Sequence, residues 1–442
     1  MSHIDTYPDL PYRRLETLPG LLRLLIPVLC GVGGLAIGLA FAVDADRAWR
    51  AYHFNWLYFT SIAQGAVVLA VVVTITRGVW SRPIRRLALS FVAYLPIAWL
   101  LAIPILLGAR HIFPWVADPH AIQPGKDAYL NVPFMSVRIL GLLGVLFVLE
   151  WIFAYWSLRP DLGLVRDRVP ERLRGLYARL TRNWRGQETE EALAFKKLAV
   201  LGPVIVIAFA VAFGVLAWDF VMSLEPHWFS TMIGPYFFMG AFLGGVAATV
   251  ILSVTYKLKG GAAGIIEPVT LHDIAKLMFG LCVFWTYLFY SQFIVIWYGM
   301  LPIEQAWLNH RFGGAFQPFM ALAFFCIFIL PFFGLMGVAP KRKPQILVGF
   351  ATIVAIGLWL ERYILVYPSL YATDHTAPFG WQEIGTAFFF LGLVLIAITQ
   401  FQMRFPIFQI WQPMSELELL GVPTYDAQVT APDDEDLAGE DE

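Results

Sequence analysis

Cysteine is scarce in this sequence. The three that occur, Cys30, Cys282 and Cys326, stand far apart and inside apolar stretches. No CxxC or CxxCH pair exists, so the ligands for an iron–sulfur cluster or a covalently attached haem are missing. Histidine is equally thin: of His3, His53, His111, His120, His227, His272, His310 and His375, none falls near the middle of an apolar run, where a haem held between two helices would need it. Any redox metal centre working with this chain therefore belongs to a partner. Charged residues are 14% of the 442 positions against 59% hydrophobic, and the formal net charge is -1. That balance excludes a soluble globular chain and gives no footprint for nucleic acid. The first residues carry Asp5, Asp9, Arg13, Arg14 and Glu16, with no small-residue cleavage site after a short apolar core. No cleaved signal peptide is expected, and the amino terminus is expected in the cytoplasm.

What the chain has is apolar length. Runs of about 20 or more residues, enough to cross a bilayer core, lie near 21–43, 54–77, 86–108, 133–158, 197–220, 231–256, 271–299, 313–336, 344–366 and 382–403. Each must be helical, because lipid leaves the backbone no other partner. The expected fold is an all-α integral membrane protein with ten transmembrane helices. Residues 1–20 form an amino-terminal segment, 21–403 the membrane domain and 404–442 a tail, acidic and disordered at its end from Asp433 to Glu442. Alternate connections hold 19 and 5 Lys or Arg residues, the rich set including Arg77, Arg82, Arg85, Arg86, Arg159 to Lys197, and Lys341 to Lys343. The positive-inside rule makes that set cytoplasmic, with both termini on the same side. The opposite side carries an aromatic belt, among it Phe113, Trp115, Trp228, Trp297, Tyr298, Trp307, Tyr367, Tyr371 and Trp381. Within 159–196, Leu173, Leu176, Tyr177 and Leu180 follow Pro170 at helical spacing with arginines between them, which predicts a basic amphipathic helix on the anionic leaflet, or a solvated connector.

The chemistry gathers at the end of span five. Asp219 lies about a turn inside the membrane, where a carboxylate costs roughly 2.5–3.5 kcal/mol on insertion scales and so implies proton or ion handling or a fixed partner. Span nine repeats the arrangement: Trp218-Asp219 leads to Pro226, and Trp359-Leu360-Glu361 leads to Pro368. The recurrence four spans apart predicts two related four-helix bundles, spans two to five and six to nine, with spans one and ten peripheral.

The elbow Trp218-Asp219-Phe220-Val221-Met222-Ser223-Leu224-Glu225-Pro226-His227-Trp228-Phe229-Ser230-Thr231, with Glu361-Arg362-Tyr363 and Val366-Tyr367-Pro368, resembles the membrane subunits of bacterial alternative complex III, within the wider NrfD and polysulfide-reductase membrane-subunit family. His111-Ile112-Phe113-Pro114-Trp115, then Tyr129-Leu130-Asn131-Val132-Pro133-Phe134 and Arg138, resemble the F-type rather than the C-type subunit. The resemblance runs from about Leu21 to Met403. It implies two four-helix bundles in the bacterial cytoplasmic membrane, inside a respiratory complex that oxidises quinol, quinone or menaquinone being the cofactor. Haem c and iron–sulfur subunits, a C-type homologous subunit and a terminal oxidase would be the partners, besides membrane lipid. The C-type subunit is the better candidate for quinol binding, and the F-type for proton translocation.

Read from the residues, the proton pathway would use Asp219 and Glu361 in the outer half, Glu150 in the inner half of span four, and His272, Asp273 and Lys276 at the cytoplasmic mouth of span seven. Arg362 points about 100° from Glu361 on an ideal helix, which makes Asp219 its expected partner and leaves open a static ion pair between bundles. Arg138 and Glu150 lie about 18 Å apart along one helix, too far to pair. The span-seven trio also reads as a solvated helix start. His227, Arg138 and Tyr363 are candidates for quinone contact or proton exit, His227 equally for a plain elbow residue, and the cysteines for packing. A structural anchor and a secondary transporter remain as other classes, the latter disfavoured because the in-span prolines do not recur in register.

Overall fold

The computed structural model describes residues 11–411 apart from 123 and 372–375, so the expected acidic end of the tail lies outside the described residues. All regular structure among the described residues is helical. Ten helices are long and apolar enough to cross a membrane: Gly20–Val43, Ala45–Ile75, Val79–Leu107, Val132–Arg168, Gln187–Leu224, Ile233–Leu258, Pro268–Gly299, Gly314–Gly334, Pro344–Leu370 and Trp381–Arg404, numbered here as spans one to ten. This is the expected multi-pass, all-α membrane protein. The starts follow local chemistry. The Asp44 side chain accepts from the Arg47 amide at 3.0 Å to begin span two, and Asn131 accepts from Phe134 at 2.9 Å to begin span four. Spans seven and nine open on Pro268 and Pro344, whose missing N–H costs nothing there.

Spans two and six form the centre: their apolar windows are 83% and 72% buried, against 22% for span one. They cross backbone to backbone, because a Cβ on Gly65 would lie 2.0 Å from the Ala241 carbonyl oxygen and one on Gly245 2.0 Å from the Ala66 nitrogen. Only residues without a side chain permit that approach, the small-residue contact of membrane helices. Around this seam span two also packs on spans three, five, nine and ten, and span six on spans five, seven and nine. Spans two and six, expected in different bundles, therefore meet in one central seam. Span ten is less peripheral than expected: it packs on spans one, two and three and carries a fully buried acid, Glu383.

Two further expectations change. The helix Glu171–Leu180 exists, but Leu173 and Tyr177 are buried in the protein, and the Tyr177 hydroxyl donates to the Arg404 carbonyl at 3.0 Å. Its apolar stripe is used by the chain itself. The first part of the tail is likewise fixed: the Ile410 and Trp411 amides donate to Asp161 at 2.9 and 2.8 Å, and Arg82 donates to the Ile410 carbonyl at 2.8 Å. Of the expected aromatic belt, Trp297, Tyr298 and Trp381 are exposed. Phe113, Trp115, Trp228, Trp307 and Tyr367 are core residues.

Candidate proton-handling site

Asp219, Glu150 and Glu361 all point inward, with exposures of 0%, 0% and 2%. Their settings differ. Asp219 of span five is held by Arg138 of span four in a two-pronged pair, Nη2 to Oδ1 at 2.8 Å and Nε to Oδ2 at 3.1 Å. The guanidinium lies between the Tyr129 and Phe134 rings, 3.7 and 4.2 Å from their centroids, and Nη1 donates to the Tyr129 carbonyl at 3.1 Å. Arg138 is thus the counter-charge that Asp219 requires, and the expected Arg362–Asp219 pair does not form.

Arg362 instead turns back on its neighbour Glu361. The 100° between successive helix positions is overcome by side-chain reach: Arg362 Nη1 meets Glu361 Oε2, Nη2 donates to the Phe237 carbonyl of span six at 3.0 Å, and the guanidinium covers the Phe237 ring at 4.0 Å. The other carboxylate oxygen, Oε1, has no hydrogen-bond partner. Beside it is a cavity of about 20 Å3 bordered by Glu361, Tyr236, Gln292 and Arg311. That volume holds one water, and the unpartnered Gln292 Oε1 and Arg311 Nε supply further polar contacts in the same wall.

Arg311 links this cavity to the elbow. It contacts Glu225 at 3.3 Å, donates to the Leu365 carbonyl at 3.1 Å and to Ser369 at 2.7 Å, and covers Trp307 at 3.8 Å. Trp307 stacks in turn on Trp228 of the elbow, 4.3 Å between centroids. His310 Nδ1 lies 3.6 Å from the same Glu225 oxygen. Burial pushes the Glu225 carboxyl up, but His310 and Arg311 outweigh it and hold it down at about 2. Burial pulls Arg311 down to about 10, Glu225 opposing.

Glu150 is met only by a neutral group, Gln64 of span two, whose Nε2 donates to Oε1. Its Oε2 and the Gln64 Oε1 have no partner. A bare carboxylate without a cation is costly in such a place, whereas a carboxylic acid and an amide satisfy each other. As expected, Arg138 is not its partner.

The remaining candidates do not converge. Asp273 pairs with Lys276 at 2.8 Å and lies 3.7 Å from His272, in a partly exposed trio. The bonded spacing is i, i+3. His227 is exposed on the elbow, and Tyr363 is buried among aromatic rings with its hydroxyl donating to the Pro378 carbonyl at 3.2 Å. Arg138 is committed to Asp219, Tyr363 to the Pro378 carbonyl, and His227 lies at the surface. An open apolar groove of about 680 Å3 between spans three and four carries side-chain polar atoms on Trp99, Trp151 and Tyr155, of which the Tyr155 hydroxyl is engaged with Arg159 at 2.7 Å and the Trp99 indole with the Leu140 carbonyl at 2.9 Å. This groove offers a quinone headgroup no charged side chain.

Sequence reasoning missed several groups. Glu383 of span ten takes both prongs of Arg47 at 2.8 Å and the Tyr367 hydroxyl at 2.9 Å. Gln64, Gln292, Arg311 and His310 were also missed; an amide within an apolar run was a signal for the first two. His53, expected just outside span two, lies within it, wholly buried, with Phe113 and Phe220 edge-on at 5.7 and 5.2 Å.

No family model matches the sequence. Over 173 residues it is 26% identical to the probable potassium transport system protein Kup of Paracidovorax citrulli (strain AAC00-1), a stretch covering 34% of this chain and 27% of that protein. The chain thus spans about a quarter of that relative's length.

Proposed function

We propose that this chain is a proton-handling membrane subunit of a bacterial quinol-oxidising respiratory complex, of the F-type of alternative complex III, with both termini in the cytoplasm. The observation that carries the proton-handling reading is Glu150 paired with an amide instead of a cation, deep inside span four. An acid stable in neutral form yet able to pass its proton to a water is what a relay needs. Glu361, with one free oxygen at a water-sized cavity that also touches Arg311, serves as the second carrier, and Glu225 and His310 form its outlet. Asp219 is the fixed ion of the site, locked by Arg138. His272, Asp273 and Lys276 gather protons at the opposite mouth. Quinol oxidation, haem and iron–sulfur chemistry belong to partner subunits.

The test has two arms. Purification in mild detergent should bring down haem c and iron–sulfur subunits with this chain. In the assembled complex, Glu150→Gln and Glu361→Gln should each leave quinol oxidation near normal while proton uptake falls. Normal uptake in both variants would leave a structural anchor.

The similarity to a potassium transport protein favours a second reading, cation transport. Against it, each span among the described residues follows a continuous helical path, the irregular turns at Ser90–Tyr94 and Phe325–Ile329 included. Ion sites in such transporters are built on interrupted helices. Potassium flux by the purified chain in proteoliposomes would decide for transport.

A further inference from the structure

The 680 Å3 groove between spans three and four opens sideways and plays no part in the proton path. Leu100, Val148, Trp151 and Ile152, all exposed, form its walls together with Trp99 and Phe147. On span four the lining runs from Gly144 to Tyr155, which is about 16.5 Å along a helix and about half of a 30 Å hydrocarbon core. The groove is one leaflet deep. At its far end the Trp99 indole leans across to span four, where Nε1 donates to the Leu140 carbonyl at 2.9 Å and a Cβ on Gly144 would lie 3.2 Å from that nitrogen. Glycine at 144 lets the indole close the groove there. A transmembrane helix of a partner is about 10–12 Å across and needs a contact face through both leaflets. A channel closed halfway suits a single hydrocarbon chain.

The other end is polar and positive. The Tyr155 hydroxyl accepts from Arg159 at 2.7 Å and donates to the Leu180 carbonyl at 3.4 Å, while Arg159 donates to the Leu180 and Arg182 carbonyls at 2.8 and 3.1 Å. The turn 179–185 is therefore fastened over this end of the groove. It carries Arg179, Arg182 and Arg185, all exposed, and no acid. Both oxygens of Glu190, the acid that reaches this turn, are bonded to Arg159 at 2.6 and 2.8 Å, so its charge is already matched. Trp151 and Tyr155, one turn apart, sit just inside the arginines, where aromatic rings favour the boundary between headgroups and hydrocarbon.

We infer that this groove binds one acyl chain of an anionic phospholipid from the leaflet at the arginine-rich end, with the phosphate held at the Arg179–Arg185 turn. The chain runs from Tyr155 to the Trp99 lid along Val148, Trp151 and Ile152. The arginines above select the negative headgroup.

The full chain is placed in nanodiscs containing phosphatidylglycerol with a photoactivatable diazirine on its acyl chain, and the labelled peptides are mapped by mass spectrometry. Label should concentrate on 144–155 and 96–100. Val148→Trp, at a position that already faces outward, fills the groove and should suppress that labelling with thermal stability unchanged. The pair Arg179→Gln with Arg182→Gln should lower it about fivefold or more, and phosphatidylcholine with the same diazirine should label the groove about fivefold less than phosphatidylglycerol. Label spread evenly over the exposed span surfaces, or groove labelling unchanged in Val148→Trp, would overturn the site. Equal labelling by the two lipids, or full labelling in the arginine variant, would overturn the anionic headgroup.

Discussion

Replacing Arg138 by Gln would leave Asp219 fully enclosed with no cation, because both carboxylate oxygens are committed to that guanidinium. Loss of one member of a buried pair costs about 3–5 kcal/mol, most of it the penalty on the charge left behind. Asp219→Asn should cost less, since Arg138 keeps the Tyr129 carbonyl and two aromatic faces and is 11% exposed. The double variant Arg138→Gln with Asp219→Asn should then be more stable than Arg138→Gln alone. The assay is chemical unfolding in mixed micelles for wild type, both single variants and the double. A coupling of about 2 kcal/mol or more is expected, with Arg138→Gln the worst of the four. Equal stability of Arg138→Gln and wild type, or a double variant as unstable as the sum of the singles, would refute the view that Asp219 is a fixed ion rather than a carrier.

Three further outcomes follow from the same geometry. Gly245→Ala puts a methyl 2.0 Å from the Ala66 nitrogen and should destabilise by about 1–3 kcal/mol, while Gly31→Ala, with nothing within 4 Å, should be silent in the same thermal-unfolding assay. The Glu225 carboxyl is held at about 2 against an ordinary 4.5. A depressed carboxyl stabilises the fold above its unfolded value, so about 3 kcal/mol should be lost as pH falls from 4.5 toward 2. Unfolding measured at pH 5 and pH 3 should show about 2 kcal/mol of this loss in wild type and not in Glu225→Gln. Gln292→Leu removes one of the polar groups at the water-sized cavity; proton translocation by the assembled complex should fall while quinol oxidation and stability hold, and unchanged translocation would remove the cavity from the path.

Ten spans were legible because lipid imposes one solution on an apolar run, and their ends were marked by residues such as Asp44, Asn131, Pro268 and Pro344. The interior position of Asp219, Glu150 and Glu361 was legible for a related reason: an acid at that depth has nowhere else to go. Their partners were not. Helical periodicity fixes where a side chain starts, not how far a long one bends, which is why it directs Arg362 to Asp219 on another helix when the side chain turns back on Glu361. Arg138, 81 residues from Asp219 in sequence, pairs with it only because spans four and five pack side by side. Arg311 and Glu383 stood near span ends, where charge looks solvated, yet neighbouring helices cover both.

Redox-induced infrared difference spectroscopy of the assembled complex tests the central claim most directly, because it reads carboxyl groups as they gain and lose protons. The proton-handling account expects carboxylic-acid carbonyl bands that change on quinol oxidation, one missing in Glu150→Gln and another in Glu361→Gln, with Asp219→Asn leaving both in place. Spectra identical to wild type in Glu150→Gln and Glu361→Gln would contradict it.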